Sequence, residues 1–208
     1  MLRQTIVAAL AFACGSAAWA ITPDSYSMLN GNSGSYNYWD QIYNGTGCTT
    51  CDNAPLSGGT GDLTDGVIAT TNWFVAEAPP GNGPYVGWAI DPSITFHWNA
   101  PVSIDSVTFW FDDADGNGGV SAPASVTVNG TNYAISDPPG PAPFAFTASG
   151  VSFSGTDLGV QIFRRNGWVF LSEVQFASSV PEPESLALLL AGLSALGLRL
   201  VRRRRAAT

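Results

Sequence analysis

Apolar and polar positions alternate most clearly at Ile94, Phe96 and Trp98, with Thr95 and His97 turned the other way. A period of two sends successive side chains to opposite faces, so this stretch reads as a strand with one buried face and His97 as a half-exposed strand residue. Val107, Phe109 and Phe111 repeat the pattern ahead of a loop at 112–119. Val126 and Val128 then run through Asn129-Gly130 into Tyr133 and Ile135, the signal of a type I′ hairpin. After four prolines between 138 and 143, strands are predicted at 144–147 or 151–153, at 158–164 and at 168–176, with Asn166-Gly167 as the last tight turn. Upstream, the pattern predicts an edge strand and loop over 22–43, turns over 58–66, a short strand at 71–75 and another at 85–90. No window between 21 and 180 carries a helical period. About eight short strands without crossover helices predict an all-β fold, an antiparallel β-sandwich or jelly roll.

Both ends read as processing segments. Arg3, the apolar run from Ile6 to Ala13 and Ala18-Trp19-Ala20 have the order of a signal peptide over 1–20, with a mature chain starting at Ile21. At the other end, Pro181-Glu182-Pro183-Glu184 precedes an apolar run and the block Arg202, Arg203, Arg204 and Arg205. Residues 185–201 would make a helix of about 26 Å, at the short edge of what spans a bilayer. Leucines surround its whole circumference, and the arginine block is expected to stay cytoplasmic. The prolines forbid regular helix at 181 and 183, leaving an extended segment just outside the membrane.

Pro181, Glu182 and Pro183, the apolar helix and the terminal arginines together resemble the PEP-CTERM sorting signal of Gram-negative bacteria that make extracellular polysaccharide. The resemblance implies an exosortase-like membrane protease as partner and a precursor held transiently in the inner membrane. Delivery to the cell surface or extracellular matrix would follow, with 181–208 as the sorting segment and 21–180 as the single exported domain.

That domain holds fourteen acidic residues against Arg164 and Arg165 and no lysine, a net charge of −12 with His97 neutral. Such a surface excludes nucleic acid as a partner and tolerates divalent cations. Cys48 and Cys51 are its cysteines, in Gly-Cys-Thr-Thr-Cys-Asp. A redox pair, half a zinc site and a local staple are the alternatives. Redox pairs normally open a helix, and zinc would need two further ligands where His97 is the one histidine, so an oxidised staple is expected in an exported chain.

Two pieces of the domain are similar to the discoidin-like, or F5/8 type C, galactose-binding-like jelly rolls. One is Leu63-Thr64-Asp65-Gly66 followed by Trp73, and the other is the closing segment from Trp168 to Phe176. The resemblance implies a sugar-binding scaffold and a structural calcium held by Asp65 and Glu173, with Asp62 and Thr70 as helpers and loop carbonyls supplying further oxygens. The ligand-loop Arg and His familiar in that family are absent here. Read without the resemblance, Asp62 and Asp65 equally suit Asx-turns.

Asp113, Asp115 and Asn117, followed by glycine, resemble the first half of a calcium loop, but the twelfth position is Ala124 and the bidentate glutamate is missing. A weak ion-binding turn and an ordinary hairpin loop both remain open. Catalytic motifs are lacking: there is no G-x-S-x-G or P-loop, and any Ser-His-Asp site would depend on His97. The expectation is a non-catalytic module for extracellular polysaccharide, with a structural biofilm-matrix protein as the alternative and a glycan-active enzyme as the third reading. Sugar faces stack on aromatic rings. Trp110, opposite Phe109 and Phe111, and Tyr38, Tyr85 and Tyr133, beside loops, are the expected ligand-binding residues.

Overall fold

The computed structural model describes residues 18–79 and 81–179. The signal-peptide core, Pro181-Glu182-Pro183, the expected span 185–201 and Arg202 to Arg205 lie outside the described residues. Among those described, no helix is long and apolar enough to cross a membrane.

The compact unit Trp19–Ser178 is built from nine described strands. They are β1 (Ala18–Ile21), β2 (Ser25–Leu29), β3 (Pro55–Gly59), β4 (Val86–Trp88), β5 (Ser93–Phe111), β6 (Ser125–Val128), β7 (Thr131–Ala134), β8 (Phe144–Phe163) and β9 (Val169–Ser179). One helical turn, α1 (Trp73–Ala76), and a 3-10 turn at Asn117–Gly119 complete the described elements.

Two long strands organise the sheet. The first part of β5, Ser93 to His97, pairs antiparallel with β2 on one side and with Asp157 to Gln161 of β8 on the other. Past a register shift between His97 and Val102, its second part, Ser106 to Phe111, pairs with β9 and with Phe144 to Ser149 of β8. β3, β2, β6 and β7 extend the first neighbourhood, while β4 and β1 flank β9 in the second. The same two strands therefore serve both halves.

The two halves share one core. Tyr26, Ile94, Phe96, Leu158 and Val160 come from the first half and Val107, Phe109, Val174 and Phe176 from the second, all buried in one cluster. Phe96 meets Phe176 edge-on at 4.7 Å between ring centres, and Trp98 meets the same ring at 5.2 Å. An antiparallel sheet whose halves bury their facing sides against each other is consistent with the expected β-sandwich or jelly roll.

Several local expectations are corrected. The strands expected at 94–98 and 107–111 are one strand of 19 residues, and those at 144–147, 151–153 and 158–164 are one of 20. Pro101 falls where the β5 register shifts, and Gly150 and Ser152 take φ of 72° and 49° within β8, so irregularities absorb what reads as turns. β2 lies between β3 and β5 and is not an edge strand. Residues 73–76 form a helical turn where a strand was expected at 71–75. Asn129 and Gly130, with φ of 48° and 79°, have the backbone that a type I′ turn requires.

Candidate functional site

Alternation along β9 splits its first residues between two clusters. Val169 and Leu171 point into the main core, whereas Phe170 joins Tyr38, Trp73, Tyr85 and Val120 in a second buried cluster, with Trp168 packed against it. Tyr38 is brought there by a loop running beside β4: Asn32 N donates to Gly87 O at 2.8 Å and Gly87 N to Tyr38 O at 3.0 Å.

Trp73 is placed by a carboxylate. Asp112, fully buried at the end of β5, accepts from the Trp73 backbone N–H at 3.0 Å through Oδ2 and from Asn72 Nδ2 at 2.9 Å through Oδ1. A buried acceptor aimed at the first N–H of a helix satisfies a donor that has no partner within the helix. Burial pushes the Asp112 carboxyl up to about 6, against these hydrogen bonds, which lower it.

The resulting cleft has a volume of about 190 Å³ and is walled by Tyr38, Trp73, Trp168 and Phe170, with Gly34 and Gly118 among its lining. Trp73 and Phe170 stack at 5.9 Å and 29°, and Tyr38 stands edge-on to Phe170 at 4.7 Å and to Trp168 at 5.5 Å. Gly118 is required twice over: its φ is +63°, and a Cβ there would lie 2.4 Å from the Trp73 ring. Tyr38, Trp73 and Phe170 are buried and Trp168 is half-buried, so a flat ligand with one apolar side would meet mainly Trp168 and bare backbone at the opening.

Of the aromatics expected to bind ligand, Tyr38 alone lines this cleft. Tyr85 is fully buried behind it, edge-on to Phe170, and donates its hydroxyl to Thr71 O at 3.1 Å. Tyr133 is half-buried against the main core. Trp110 is half-buried, and its Nε1 is sealed from solvent without a hydrogen-bond partner. Trp73, Trp168 and Phe170, which complete the aromatic lining, lie outside the expected ligand-binding set. The outward phase of Trp168 and Phe170 against the inward Val169 and Leu171 is a signal that could have found two of them.

The loop carrying Asp62, Asp65 and Thr70 is fastened to β9. Gly66 N donates to Glu173 Oε2 at 3.1 Å, Ala69 N to Ser172 Oγ at 3.3 Å and Val174 N to Leu63 O at 2.9 Å. Asp65 is exposed, and its Oδ1 accepts from Val67 N at 2.8 Å, an Asx-turn. Burial raises Glu173 to about 7, against the Gly66 N–H, and Asp65 adds to the rise. Asp62 is committed elsewhere: its carboxyl hydrogen-bonds that of fully buried Asp40, whose Oδ1 also accepts the Asp62 backbone N–H at 3.0 Å and whose Oδ2 accepts the Tyr26 hydroxyl. Burial, then the Asp40 charge, pushes Asp62 up to about 8. Thr70 is exposed. Asp65 on the loop and Glu173 on β9 thus lie on either side of the Gly66 contact and carry the hard oxygens calcium takes, yet no group of three or more His, Cys, Asp or Glu that could hold a metal occurs among the described residues. Most ligands to an ion there would be carbonyls and water.

In the second acidic loop, Asp113 Oδ1 accepts from Asp115 N at 3.1 Å and Ala122 N at 3.3 Å, while Asp115 and Asn117 are exposed. Oδ2 of Asp113 is buried without a partner. Cys48 and Cys51 form a disulfide. Next to it, Asp52 accepts from Ser33 N at 2.7 Å and Trp39 Nε1 at 2.7 Å, tying the stapled loop to the segment that leads to Tyr38.

Beyond the domain, the pattern of the PEP-CTERM protein-sorting motif matches residues 179–205. The chain carries a C-terminal PEP-CTERM motif. This implies an exosortase-type partner system and an export route to the cell surface. No curated protein matches the chain. Among solved structures, the chain is similar to SpGH29, with 11% identity, 58% of this chain and 24% of that one covered, and a TM-score of 0.36. It is also similar to the family 32 CBM from C. perfringens NanJ in complex with galactose, at 10% identity, 56% and 82% coverage and a TM-score of 0.35. A fucolectin from striped bass (Morone saxatilis) serum gives 13%, 78% and 75%, and 0.35. The all-β architecture rests on the strand pairing above and not on these likenesses.

Proposed function

We propose that the exported PEP-CTERM domain binds an uncharged polysaccharide of its own cell's extracellular matrix, stacking a sugar ring on Trp168 at the mouth of the cleft that Tyr38, Trp73 and Phe170 back. The cleft is the observation that carries this reading: four rings from separated parts of the chain border one opening of about 190 Å³. A net charge of −12 over residues 21–180 repels a polyanion, so the ligand is neutral. Stacking with few hydrogen bonds gives weak single sites, and many copies at a surface add avidity. Binding alone is assigned to the cleft, in keeping with the engagement of Asp112, behind Trp73, in holding Trp73 and Asn72. A structural calcium at Asp65 and Glu173 would stiffen the loop that leads into α1.

Retention of the exported protein on native matrix fractions tests the proposal. Trp168→Ala should lower retention about two- to tenfold, the range of a lost stacking partner, while Trp110→Ala should leave it unchanged. If the unaltered protein is retained on no fraction, a structural surface protein is the better account.

A further inference from the structure

Three strands of the first half place a serine, a histidine and an aspartate side by side on the outer face of the sheet. In the ladder, Ser25 of β2 and Asp157 of β8 both stand opposite His97 of β5, and Ser27 stands opposite Thr95. Residues paired this way share a face. It is the outer one, since Tyr26, Ile94, Phe96 and Leu158 between them fill the core.

The atoms meet in order. Ser27 Oγ lies 2.9 Å from His97 Nε2, His97 Nδ1 lies 2.5 Å from Asp157 Oδ1, and the Thr156 hydroxyl donates to Asp157 Oδ2 at 2.7 Å. An ionised carboxylate only accepts, so Nδ1 carries a proton, and the tautomer this selects presents Nε2 as acceptor to the serine hydroxyl. Thr156 first, and then His97, hold the Asp157 carboxyl below its ordinary range, keeping that acceptor ionised. Nucleophile to base to orienting carboxylate is the arrangement by which such groups are recognised on unrelated folds.

Beside it is room for a substrate. A shallow groove of about 270 Å³ runs along the same face, lined in part by Thr95, Thr127, Gly159 and Gln161. Thr95 and Gly159 are each two residues along their strands from His97 and Asp157, a displacement of about 7 Å. The lining is uncharged, and Gly159 leaves the floor without a side chain.

We propose that Ser27, His97 and Asp157 form an acyl-transfer site for small uncharged esters, separate from the aromatic cleft and going beyond the binding function. The serine O–H bond breaks as its proton passes to His97 Nε2 and Oγ adds to the ester carbonyl carbon. The C–O bond to the leaving alkoxide then breaks, and the alkoxide takes the proton from His97. Water attacks the acyl-serine, its proton passing through His97 to Oγ, so ester and water become acid and alcohol. Ser27 and His97 are the catalytic residues, and Asp157 is a positioning residue. β2 is paired on both sides, with β3 and with β5, so its backbone N–H groups are spent on the ladder and the oxyanion is left with side-chain hydroxyls, Thr95 directly across from Ser27, and water. Turnover is therefore slow and favours esters with good leaving groups.

The exported protein is to be treated with a fluorophosphonate probe and, separately, with p-nitrophenyl acetate. One phosphonyl adduct is expected, mapping to Ser27 by peptide mass and absent in Ser27→Ala. His97→Gln should slow labelling by about 10²-fold, the usual contribution of a general base. Asp157→Asn should slow it less, with recovery in Asp157→Glu. The side chains of His97 and Asp157 are 32% and 59% exposed, so all variants should melt with the parent, and matrix retention should not change. An adduct on another serine, no adduct, or nitrophenol release by Ser27→Ala equal to the parent's overturns the proposal.

Discussion

Asp112 holds Trp73: its Oδ2 accepts the Trp73 backbone N–H at 3.0 Å, and through that bond one buried carboxylate fixes the indole that forms a wall of the cleft. Asp112→Ala would strip the buried Trp73 N of its acceptor and leave Asn72 Nδ2 with Asp113 O alone. Leaving a buried donor unpaired costs about 1–3 kcal/mol. Denaturant unfolding should show a loss of that size, and Trp73 fluorescence should shift to the red as the ring gains water. Unchanged stability and spectrum would show that Asp112 does not organise this wall.

Tyr85→Phe separates burial from binding. The Tyr85 hydroxyl donates to Thr71 O at 3.1 Å and its ring is fully buried. The variant should lose about 1 kcal/mol of stability while retaining the parent's matrix binding. A large loss of binding at unchanged stability would return Tyr85 to the ligand site.

Legibility in the sequence followed the range of the forces involved. Ile94, Phe96 and Trp98, Val107, Phe109 and Phe111, and the Asn129-Gly130 turn were readable because period and turn chemistry are local. The continuity of β5 through Pro101 and of β8 through Gly150 was not, since only partner strands on both sides decide whether a break in pattern ends a strand or bulges it. Trp73 and its neighbours have strand-like side chains, and the helical turn there depends on Asp112, 39 residues away. The cleft was hidden for the same reason: positions 38, 73, 168 and 170 are joined by topology alone, although the phase of Trp168 and Phe170 against their neighbours was open to reading.

Acid should stabilise this protein through Glu77. The residue is 1% exposed, and its carboxyl accepts from Gly83 N and Tyr85 N at 2.9 Å each and is raised by burial from 4.5 to about 7. A carboxyl that binds its proton more tightly when folded contributes stability that is full below 4.5 and is lost as pH rises through about 7. Melting temperature should fall across that interval, and Glu77→Gln should flatten the fall. A parent curve that rises from pH 4.5 to 7 would contradict this assignment.

Calcium should raise the melting temperature at neutral pH, because an ion bound only by the folded state adds to stability by mass action, about 2.7 kcal/mol at one hundred times Kd. Glu173→Gln should abolish the response, as it removes the buried carboxylate that Gly66 and Asp65 surround. Melting that ignores chelation, with no calcium by elemental analysis of never-chelated protein, rules the site out.

Sorting should depend on the short motif at the tail. Residues 179–205 match the PEP-CTERM pattern, and Glu182 stands between its two prolines. Glu182→Ala should leave export and folding intact and accumulate the full-length precursor in the inner membrane, read by fractionation and immunoblot. Normal maturation would remove the exosortase-type step.

β9 enters the sorting segment through residue 179, and it lies hydrogen-bonded between β4 or β1 on one side and β5 on the other. A pull on the chain at Ser178 would therefore act along the strand axis, and the rungs from Ser106–Ala177 to Trp110–Glu173 would bear it together in shear. Rungs loaded in parallel resist far better than rungs opened one at a time from an end. β5 would pass the load on to β8 in both halves of the sheet. A domain held by its C-terminal end against flow would meet drag along its strongest direction.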